Sequence, residues 1–474
     1  MRVMQMPSFV GRERELNELE TAYSSDSFQF AVVYGRRRVG KTSLLRTFVS
    51  NKPKVCFFTA LETTIGDNVR LLNKALSEID PAFGLMTPEP TANSISNALT
   101  AAFEIAQKGR LVLVIDEYPY LAACYPGISS FLQVLIDQNR ESSKLFLILC
   151  GSSMSFMEHQ VMGYKSPLYG RRTLQIKLKP FSIFDAKKML PQADPQKLVE
   201  LYAAVGGIPM YLSQFDDSDS TTGNLAKHVL RQGAYLHIEP ENYLLQEVRN
   251  PAIYNAVISA IANGYVRPKE IADTTGLNSP QVSQLLDALA ELQLVERVTP
   301  QVHAKKRQVF YRIGDNLFRF WYYFIPKYAG ALEVGLEDKI ASAIVKTDFP
   351  TFVGPVFEDV CRQWLAQQVA NGNLDILFKG IGTWWGTNPQ TKQQEEIDIV
   401  FESIDNGLIV GECKWRNEAV DADVLDTLLR RGALLGERIE RYYLFSKEGF
   451  TDNCRQRAAA IGDVELVTLK EMLG

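Results

Sequence analysis

The segment that most constrains this chain is the stretch from Gly35 to Thr42, which reads GRRRVGKT. An apolar run, FAVVY, precedes it and SLLRTFV follows it, so the pattern predicts a strand, a glycine-bounded loop and a helix. Glycines let backbone N–H groups curl around a phosphate, and the helix N-terminus adds the positive end of its dipole. Lys41 would reach the β- and γ-phosphates, and Thr42 would offer its hydroxyl to Mg²⁺. We therefore predict a site for ATP and Mg²⁺, lined by Gly35, Arg36, Arg37, Arg38, Val39, Gly40, Lys41, Thr42 and Ser43.

Two more apolar runs end in polar residues, as ligand-binding strands of α/β sheets do. The run RLVLVIDEYPYL places Asp116 and Glu117 at a strand end. We expect Asp116 to hold Mg²⁺ through water and Glu117 to orient and deprotonate the attacking water. The run KLFLILCGSS ends in Ser152 and Ser153. Their hydroxyls would either sense the γ-phosphate or cap the next helix, and the sequence leaves both open.

The first 215 residues or so resemble the archaeal-type branch of the P-loop ATPases, which is related to the AAA+ and signal-transduction (STAND) groups. The resemblance rests on FVGRERELNELE, YGRRRVGKT, VIDEYPYL, LCGSSMSFM, SPLYGRRT and VGGIPMYL, in that order. It implies that residues 9–12 lie against the adenine and that residues 206–209 belong to a helical lid. It also implies that Arg171 or Arg172 contacts the γ-phosphate, in cis or from a neighbouring subunit of a homo-oligomer. A solvated surface pair is the alternative for these arginines.

Length and composition set the frame for the rest of the chain. At 474 residues it predicts about three domains, and its net charge of −4 means that any nucleic-acid binding must use local patches. Six cysteines without CxxC spacing indicate reduced thiols, and four histidines argue against histidine-based metal or triad chemistry. The longest apolar runs, LVLVI and LFLILC, are of strand length. We therefore expect a cytoplasmic protein with no membrane partner.

Residues 255–298 have the spacing of a helix-turn-helix within a winged-helix domain. One helix is predicted to begin near Lys269, a turn to lie at Thr275-Gly276, and a second helix to begin near Ser279. Over residues 251–300 three basic residues face five acidic ones, whereas a helix that tracks phosphates should be basic. The next stretch, QVHAKKRQVFYR, is placed to be the wing and carries Lys305, Lys306, Arg307 and Arg312. The domain would contact DNA weakly through this wing, or couple other domains internally.

An aromatic stretch, YRIGDNLFRFWYYFIPKY, follows the predicted wing. Stacking on single-stranded bases is one explanation for its aromatic side chains. The three-to-four spacing of Phe318, Trp321, Tyr322 and Ile325 favours a packed helix instead. ATPases of the family named above commonly carry a similar segment after a winged helix, so the resemblance extends to this point.

The last 125 residues are predicted to form a separate α/β unit. An amphipathic helix carries Glu358, and a β-hairpin follows, with Asp398 on its first strand and Glu412 and Lys414 on its second. Clustered carboxylates bind Mg²⁺, and an adjacent lysine can polarise the attacking water. The order helix-Glu, strand-Asp, strand-Glu-x-Lys resembles the restriction-endonuclease-like, or PD-(D/E)XK, nucleases. Some members of that family keep the fold and lose catalysis, and a charged sheet edge is the further alternative.

The turn of this hairpin decides which side chains meet, because cross-strand partners share one face of a sheet. A three-residue loop of Asp405, Asn406 and Gly407, with Gly407 left-handed, would pair residues whose numbers sum to 812. Asp398 would then face Lys414, and Val400 would face Glu412. The opposite face would be apolar, with Ile397, Ile399, Phe401, Ile409, Cys413 and Trp415. We predict this register.

The expected fold class is α/β multidomain. The predicted parts are a P-loop ATPase core (1–180), a helical lid (181–245), a winged-helix domain with an aromatic connector helix (246–345) and a PD-(D/E)XK nuclease-like domain (346–474). The expected function is ATP binding and hydrolysis coupled to Mg²⁺-dependent endonuclease action on DNA. The alternative is a non-cleaving ATP-driven switch whose C-terminal domain only binds DNA or a protein partner.

Overall fold

The computed structural model describes residues 9–80, 92–303, 309–405 and 407–474. The chain divides into two compact units, Met1–Pro180 and Phe181–Gly474. Among the described residues, no single helix has the length and apolar composition needed to cross a membrane. One pair of helices, Tyr118–Cys124 and Ile128–Asn139, meets those criteria only when the two are joined across a bend of 110°.

The first unit is built on a five-stranded parallel sheet with the order β2-β3-β4-β1-β5. Its strands are β1 (Gln29–Tyr34), β2 (Val55–Thr59), β3 (Leu111–Asp116), β4 (Leu145–Gly151) and β5 (Leu174–Lys177). Its helices are α1 (Glu13–Ser24), α2 (Lys41–Val49), α3 (Ile65–Ser77), α4 (Ala92–Gln107), α5 (Tyr118–Cys124) and α6 (Ile128–Asn139), with a π-helical turn at Phe156–Val161. Strands β3 and β4 are buried along their whole length, as continuous apolar runs in a covered parallel sheet must be. The predicted α/β core is confirmed.

Strand order positions the polar strand ends. Because all five strands are parallel, their carboxyl ends lie at one edge of the sheet. Strand β4 lies between β1, which leads into the phosphate loop, and β3, which ends at Asp116. The end of β4 therefore sits between the other two strand ends.

The second unit begins with a helical segment. Its helices are α7 (Ile183–Met189), α8 (Pro195–Val205), α9 (Pro209–Leu212), α10 (Thr221–Asn224) and α11 (Tyr235–Glu247), with a π-helical turn at Leu225–Leu230. Side-chain caps begin several of them: Asp194, for example, accepts a hydrogen bond from the Lys197 N–H at 3.0 Å. The residues predicted to form a lid are thus largely helical.

Three helices and a two-stranded antiparallel sheet come next, and we call them the tri-helical module (residues 251–313). The elements are α12 (Pro251–Ala262), α13 (Pro268–Thr275), α14 (Ser279–Glu291), β6 (Val295–Val298) and β7 (Phe310–Ile313). Gly276 ends α13 at a φ of 71°, and Asn278 caps α14 through the Gln281 N–H at 2.9 Å. The stripe of Val282, Leu285, Leu286 and Leu289 is buried. The predicted helix starts near Lys269 and Ser279 and the predicted turn at Thr275-Gly276 agree with these to within a residue.

Two described residues of the connection that follows β6 contact the C-terminal elements. The Gln301 N–H donates to the Thr383 carbonyl at 2.9 Å, and a ring nitrogen of His303 lies 3.1 Å from the Leu435 carbonyl. The predicted basic wing residues Lys305, Lys306 and Arg307 lie outside the described residues. Gln301 contacts the strand Phe378–Thr387, and His303 contacts the segment between the helix Ala422–Ala433 and the strand Arg438–Ser446. The described part of this connection therefore favours the internal-coupling alternative.

The aromatic segment forms α15 (Asn316–Glu333), and Phe318, Tyr322 and Ile325 are buried in it. Trp321 is partly buried and donates its indole N–H to the His237 carbonyl at 2.7 Å. Helix α16 (Glu337–Thr347) follows. The packed-helix explanation therefore accounts for these four side chains.

The C-terminal elements form a mixed five-stranded sheet with the order β12-β11-β10-β9-β8. Its strands are β8 (Phe378–Thr387), β9 (Gln394–Ser403), β10 (Gly407–Lys414), β11 (Arg438–Ser446) and β12 (Val464–Thr468). Its helices are α17 (Phe349–Ala370), α18 (Ala422–Ala433), α19 (Asp452–Ile461) and α20 (Leu469–Leu473). Central strand β10 is buried from Gly407 to Cys413, because α17 and α18 both pack against it.

The predicted hairpin register is wrong by two residues. The observed pairs, from Leu408 with Glu402 to Gly411 with Ile399, sum to 810 and not 812. Strand β10 begins at Gly407, so this glycine belongs to the strand and not to the connecting loop; Asn406 lies outside the described residues. Strand β9 ends at Ser403 and β10 begins at Gly407, so each strand boundary lies one residue earlier than predicted. An even shift preserves side-chain parity, so Asp398 still shares a face with Glu412.

Candidate functional site

The phosphate loop lies between β1 and α2, and its backbone requires glycine at two points. Gly35 has a φ of +152°, and a Cβ there would lie 2.4 Å from the Leu178 carbonyl oxygen. Gly40, which caps α2, has a φ of +91°. Any other residue would strain the loop at either position. The glycines that define the motif are therefore also the residues that its backbone demands.

Lys41 is buried within this loop, with 5% of its surface exposed. Its ammonium donates to the carbonyl oxygens of Gly35 at 2.9 Å and Arg36 at 3.1 Å. Burial lowers the pKa of Lys41, and the nearby negative charge of Glu117 and Asp116 acts in the opposite direction. The amine is thus held at the start of the loop by two weak acceptors that an anionic phosphate would outcompete.

Thr42 and Asp116 meet across the sheet edge. The Thr42 hydroxyl donates to the Asp116 carboxylate at 2.8 Å, and only 2% of Asp116 is exposed. A hydroxyl and a carboxylate in contact offer the hard oxygen ligands that Mg²⁺ prefers. The donor set at this edge fits the ion predicted from the sequence.

Glu117 adopts a left-handed backbone conformation, with φ 52° and ψ 45°. This conformation is uncommon outside glycine, asparagine and aspartate. Its carboxylate accepts hydrogen bonds from the Ser152 hydroxyl at 2.8 Å and from the Ser152 N–H at 3.3 Å. Ser152 therefore contacts the predicted catalytic base and does not cap the helix that follows it. The sequence did not pair these two residues, because they follow strands that neighbour each other only in the sheet.

The two candidate arginines, Arg171 and Arg172, form hydrogen bonds outside the phosphate loop. Arg171 forms a two-bond ion pair with Asp137, at 2.8 and 2.6 Å, and Arg172 contacts the Met162 carbonyl at 3.5 Å. Within the described part of the chain, neither is hydrogen-bonded to the phosphate loop. The surface-pair alternative describes Arg171 in this single chain.

Arg12 contacts the phosphate loop, a role that the sequence did not predict. Its guanidinium donates to the Val39 carbonyl at 3.2 Å and to the Lys179 carbonyl at 2.6 Å. It therefore fastens the start of the chain to the phosphate loop. The GRE sequence at residues 11–13 was the available signal, and it was assigned only to the adenine side.

A second group of charged side chains gathers on the C-terminal sheet. Asp398 on β9 accepts a hydrogen bond from the Cys413 N–H at 2.8 Å, which fixes its carboxylate beside β10. Glu412 on β10 is 5% exposed and contacts the Lys414 ammonium at 2.6 Å. Glu358 projects from α17, and its Arg362 neighbour donates to the Asp398 carbonyl. The fold therefore brings the four sequence-predicted positions into one region.

The acids in this region perturb one another. Burial, followed by the negative charge of Asp398, raises the pKa of Glu358 to about 8. Burial, followed by the charge of Glu412, raises the pKa of Asp398 to about 7. Crowded, desolvated carboxylates favour a cation or a proton between them. Among the described residues, however, no three histidine, cysteine or acidic side chains converge closely enough to hold a metal ion by themselves.

Arg431 on α18 is a partner that the sequence did not reveal. It donates to both carboxylate oxygens of Glu412, at 3.1 and 3.2 Å, and to Glu395 at 3.0 Å. Glu412 thus has two cationic neighbours, Lys414 and Arg431. A helix that follows the hairpin supplies one of them, and only the tertiary fold reveals it.

Comparison with known proteins places the chain. It is 32% identical over 445 residues to the uncharacterized protein MJECL04 of Methanocaldococcus jannaschii, an alignment that covers 92% of this chain and 94% of the relative. The chain belongs to the MJECL04 family. A family model described as "ATPase domain predominantly from Archaea" matches residues 9–215, and one for archaeal and bacterial proteins of unknown function matches residues 321–425.

Two further similarities are to proteins named as ATP-binding or as an ATPase. A stretch of 44 residues, 9% of the chain, is 46% identical to the uncharacterized ATP-binding protein MJ0423 of M. jannaschii and covers 75% of it. The Walker-type ATPase PABY2304 of Pyrococcus abyssi has a similar fold, with a TM-score of 0.50 and 21% identity, over 66% of this chain and 96% of that one. The predicted archaeal-type P-loop ATPase is confirmed, and ATP binding and hydrolysis are its activities. The model matching residues 321–425 spans all four C-terminal site positions and assigns them no chemistry.

Proposed function

We propose that this MJECL04-family member is an ATP-regulated, Mg²⁺-dependent nuclease that acts on DNA. The observation that carries the proposal is the shared face of Asp398, Glu412 and Lys414. Glu358 lies near enough for burial, followed by the negative charge of Asp398, to raise its pKa. Three elements, α17, β9 and β10, contribute these groups, so a charged sheet edge alone does not account for them. The C-terminal domain would then have the PD-(D/E)XK arrangement.

In this proposal Asp398 and Glu412 would bind Mg²⁺ from one face of the sheet, and Glu358 would add a third carboxyl group from α17. Lys414 would orient and polarise the attacking water. Bound Mg²⁺ supplies Lewis-acid stabilisation of the charge that develops on the phosphate. Mg²⁺ commonly keeps several waters and is held by one or two carboxylates, so two acids on one face meet its requirement. Lys414 is positioned for its role by the 2.6 Å contact with Glu412.

In the ATPase unit, we infer the following roles. Lys41 neutralises the β- and γ-phosphates, Thr42 and Asp116 hold Mg²⁺, and Glu117 activates water. The hydrogen bonds from Ser152 hold the Glu117 carboxylate in position. Ser152 senses the γ-phosphate by giving up its bond to Glu117 and donating to the phosphate instead. Arg171 or Arg172 acts from a neighbouring subunit of a homo-oligomer, since neither contacts the loop of its own chain.

The tri-helical module with its β6–β7 hairpin is, in this proposal, a winged helix that couples the other parts. Arg312, a predicted wing residue, pairs with Glu296 at 2.9 Å and Asp359 at 3.1 Å. Its guanidinium therefore contacts α17, the helix that carries Glu358. The hydrogen bond from Gln301 to the Thr383 carbonyl supports the same coupling role.

A specific observation favours the second candidate, a non-cleaving ATP-driven switch that binds DNA or a protein partner. Lys414 and Arg431 both pair with Glu412. A carboxylate whose charge is already neutralised binds a metal ion less tightly. Such a site would keep the fold and use it for binding.

Incubation of the purified chain with single- and double-stranded DNA separates the two functions. Each DNA form is tested with and without ATP and with Mg²⁺, Mn²⁺ or EDTA. Cleavage that requires metal and changes with ATP is expected for the nuclease. Binding without metal-dependent cleavage of any DNA form would replace the nuclease proposal with the switch.

A further inference from the structure

The second unit contains a cavity of about 470 Å³ that lies outside the phosphate loop. It is lined by the tri-helical module and α15 on one side, and by α17, β8 and β9 on the other. Its volume is within the range of small-molecule sites. The ATPase chemistry uses none of its lining, and the proposed nuclease uses only Glu358.

Three arginines line this cavity, and two of them are neutralised. Arg312 and Arg362 both donate to Asp359, at 3.1 and 2.5 Å. Arg312 also pairs with Glu296. These two guanidinium groups therefore have carboxylate partners within the protein and need no ligand.

Arg319 is different. Its guanidinium donates to the Phe352 carbonyl at 2.8 Å and lies 4.2 Å from the centre of the Phe352 ring. Among the described residues no carboxylate lies within ion-pair distance of it. Burial, followed by the positive charge of Arg312, lowers the pKa of Arg319 to about 10. The fold thus keeps a half-buried cation in the cavity wall without an acidic partner, which is costly unless an anion joins it.

The remaining lining restricts what that anion is. Aromatic rings from Phe310 and Tyr323 offer flat apolar surfaces, and Tyr323 is 44% exposed. Glu358 and Glu396 also line the cavity. Carboxyl groups in the wall of the cavity disfavour a ligand as highly charged as a triphosphate. A single phosphate attached to a flat aromatic group matches the arginine without an acidic partner, the aromatic surfaces and the limit on total negative charge.

We propose that this cavity binds a nucleoside monophosphate group, with its phosphate on Arg319 and its base against Phe310 and Tyr323. The planar guanidinium matches phosphate geometry, and base–aromatic stacking adds sequence-tolerant affinity. The group is carried either by the phosphorylated 5′ end of a DNA strand or by a free nucleotide. This site goes beyond the proposed function, because it recognises a phosphate without cutting at it.

The test is a binding measurement in EDTA, so that it does not depend on cleavage. The full chain carries Lys41→Ala to remove nucleotide binding at the phosphate loop. The probes are a 3′-fluorescent oligothymidylate with a 5′-phosphate, the same strand without the phosphate, and thymidine monophosphate as competitor. We expect the 5′-phosphorylated strand to bind more tightly than its unphosphorylated counterpart, or thymidine monophosphate alone to bind.

Arg319→Met, which keeps the apolar stem against Phe352, should weaken the bound probe about tenfold or more. Arg457→Gln, an exposed arginine of the same unit paired with Asp426, is the matched control and should change binding less than about twofold. Preference for the strand identifies a DNA end as the source, and binding of the mononucleotide alone identifies a free nucleotide. Equal binding by Arg319→Met, or binding of neither probe, would overturn the proposal.

Thermal unfolding separates a binding arginine from a structural one. Loss of a cation without an acidic partner should leave the Arg319→Met variant melting at or above the parent temperature. A clearly lower temperature would show that Arg319 is structural and would count against the site. If this variant does not fold, Tyr323→Ala decides alone, since its side chain is partly exposed. Unchanged probe binding in Tyr323→Ala would then overturn the proposal.

Discussion

The phosphate loop and the acid–lysine face of the C-terminal sheet show two ways to build a charged site. In the loop, eight consecutive residues and two neighbouring strand ends supply every group, and the backbone itself requires the motif glycines. On the C-terminal sheet, α17, β9 and β10 each supply one or two side chains, and α18 adds Arg431. The first site is local, whereas the second is assembled.

The difference has a consequence for charge. Lys41 is held by backbone carbonyls, which leave its full charge for a ligand. Glu412 is held by two cations, which already satisfy its charge. A local motif therefore specifies its ligand strongly, whereas an assembled site depends on neighbours that a motif does not include.

The largest expected effect belongs to the local site. Lys41→Ala should abolish ATP binding and reduce turnover by about a hundredfold or more, because it removes the buried ammonium held at the start of the loop. Nucleotide-binding titration and phosphate release measure the two effects. Lys144→Ala, which removes an exposed lysine paired with Asp26 in the same unit, should leave both unchanged. Retained ATP binding by Lys41→Ala would contradict the role given to this lysine.

Glu117→Gln sharpens the same site by separating binding from chemistry. The amide keeps the size of the side chain but cannot accept a proton, so ATP should bind while turnover falls about a hundredfold or more. Single-turnover hydrolysis compared with ATP affinity makes the measurement. Hydrolysis at the parent rate would show that Glu117 is not the base.

Lys414→Ala tests the assembled site. Cleavage should fall by about a hundredfold, while ATP hydrolysis stays near normal because the two sites share no residue. Lys379→Ala removes another partly exposed lysine of the same sheet, paired with Glu402, and serves as the control. A parallel loss of ATPase activity in Lys414→Ala would contradict the separation of the two chemistries.

Arg431→Met should produce a smaller effect on the same face. It removes one of the two cations on Glu412, so the affinity for Mn²⁺ should rise a few-fold. Arg430→Met is a matched control, because Arg430 contacts Glu395 but not Glu412. Calorimetric titration with Mn²⁺ gives the affinities. Equal changes in both variants would assign the effect to Glu395.

The smallest expected effect concerns the Arg171–Asp137 pair. Asp137→Asn removes a partly exposed ion pair, so the free energy of unfolding should fall by no more than about 1 kcal/mol. ATP turnover should stay within about twofold, since Arg171 acts on a neighbouring subunit in the proposal. Denaturant unfolding and phosphate release give the two numbers. A much larger loss of turnover would mean that Asp137 positions Arg171 for hydrolysis.

The sequence alone was sufficient for the parallel-sheet ATPase core, because its signals are local. Buried strands are continuous apolar runs, and the glycine-bounded loop between β1 and α2 is a contiguous motif. It was also sufficient for the face shared by Asp398 and Glu412, since side-chain parity follows from the alternation of each strand. The packed aromatic helix followed from its three-to-four spacing.

The tertiary structure decided the rest. The alternation of the strands did not determine the hairpin register, because a shift of two residues preserves the buried pattern. The contacts of Ser152 with Glu117, of Arg431 with Glu412 and of Arg312 with Asp359 join residues far apart in the chain. Such pairs depend on how helices and strands pack, and periodicity along the sequence contains no information about them. The chain thus encodes its motifs locally, whereas their charge balance exists only in the folded protein.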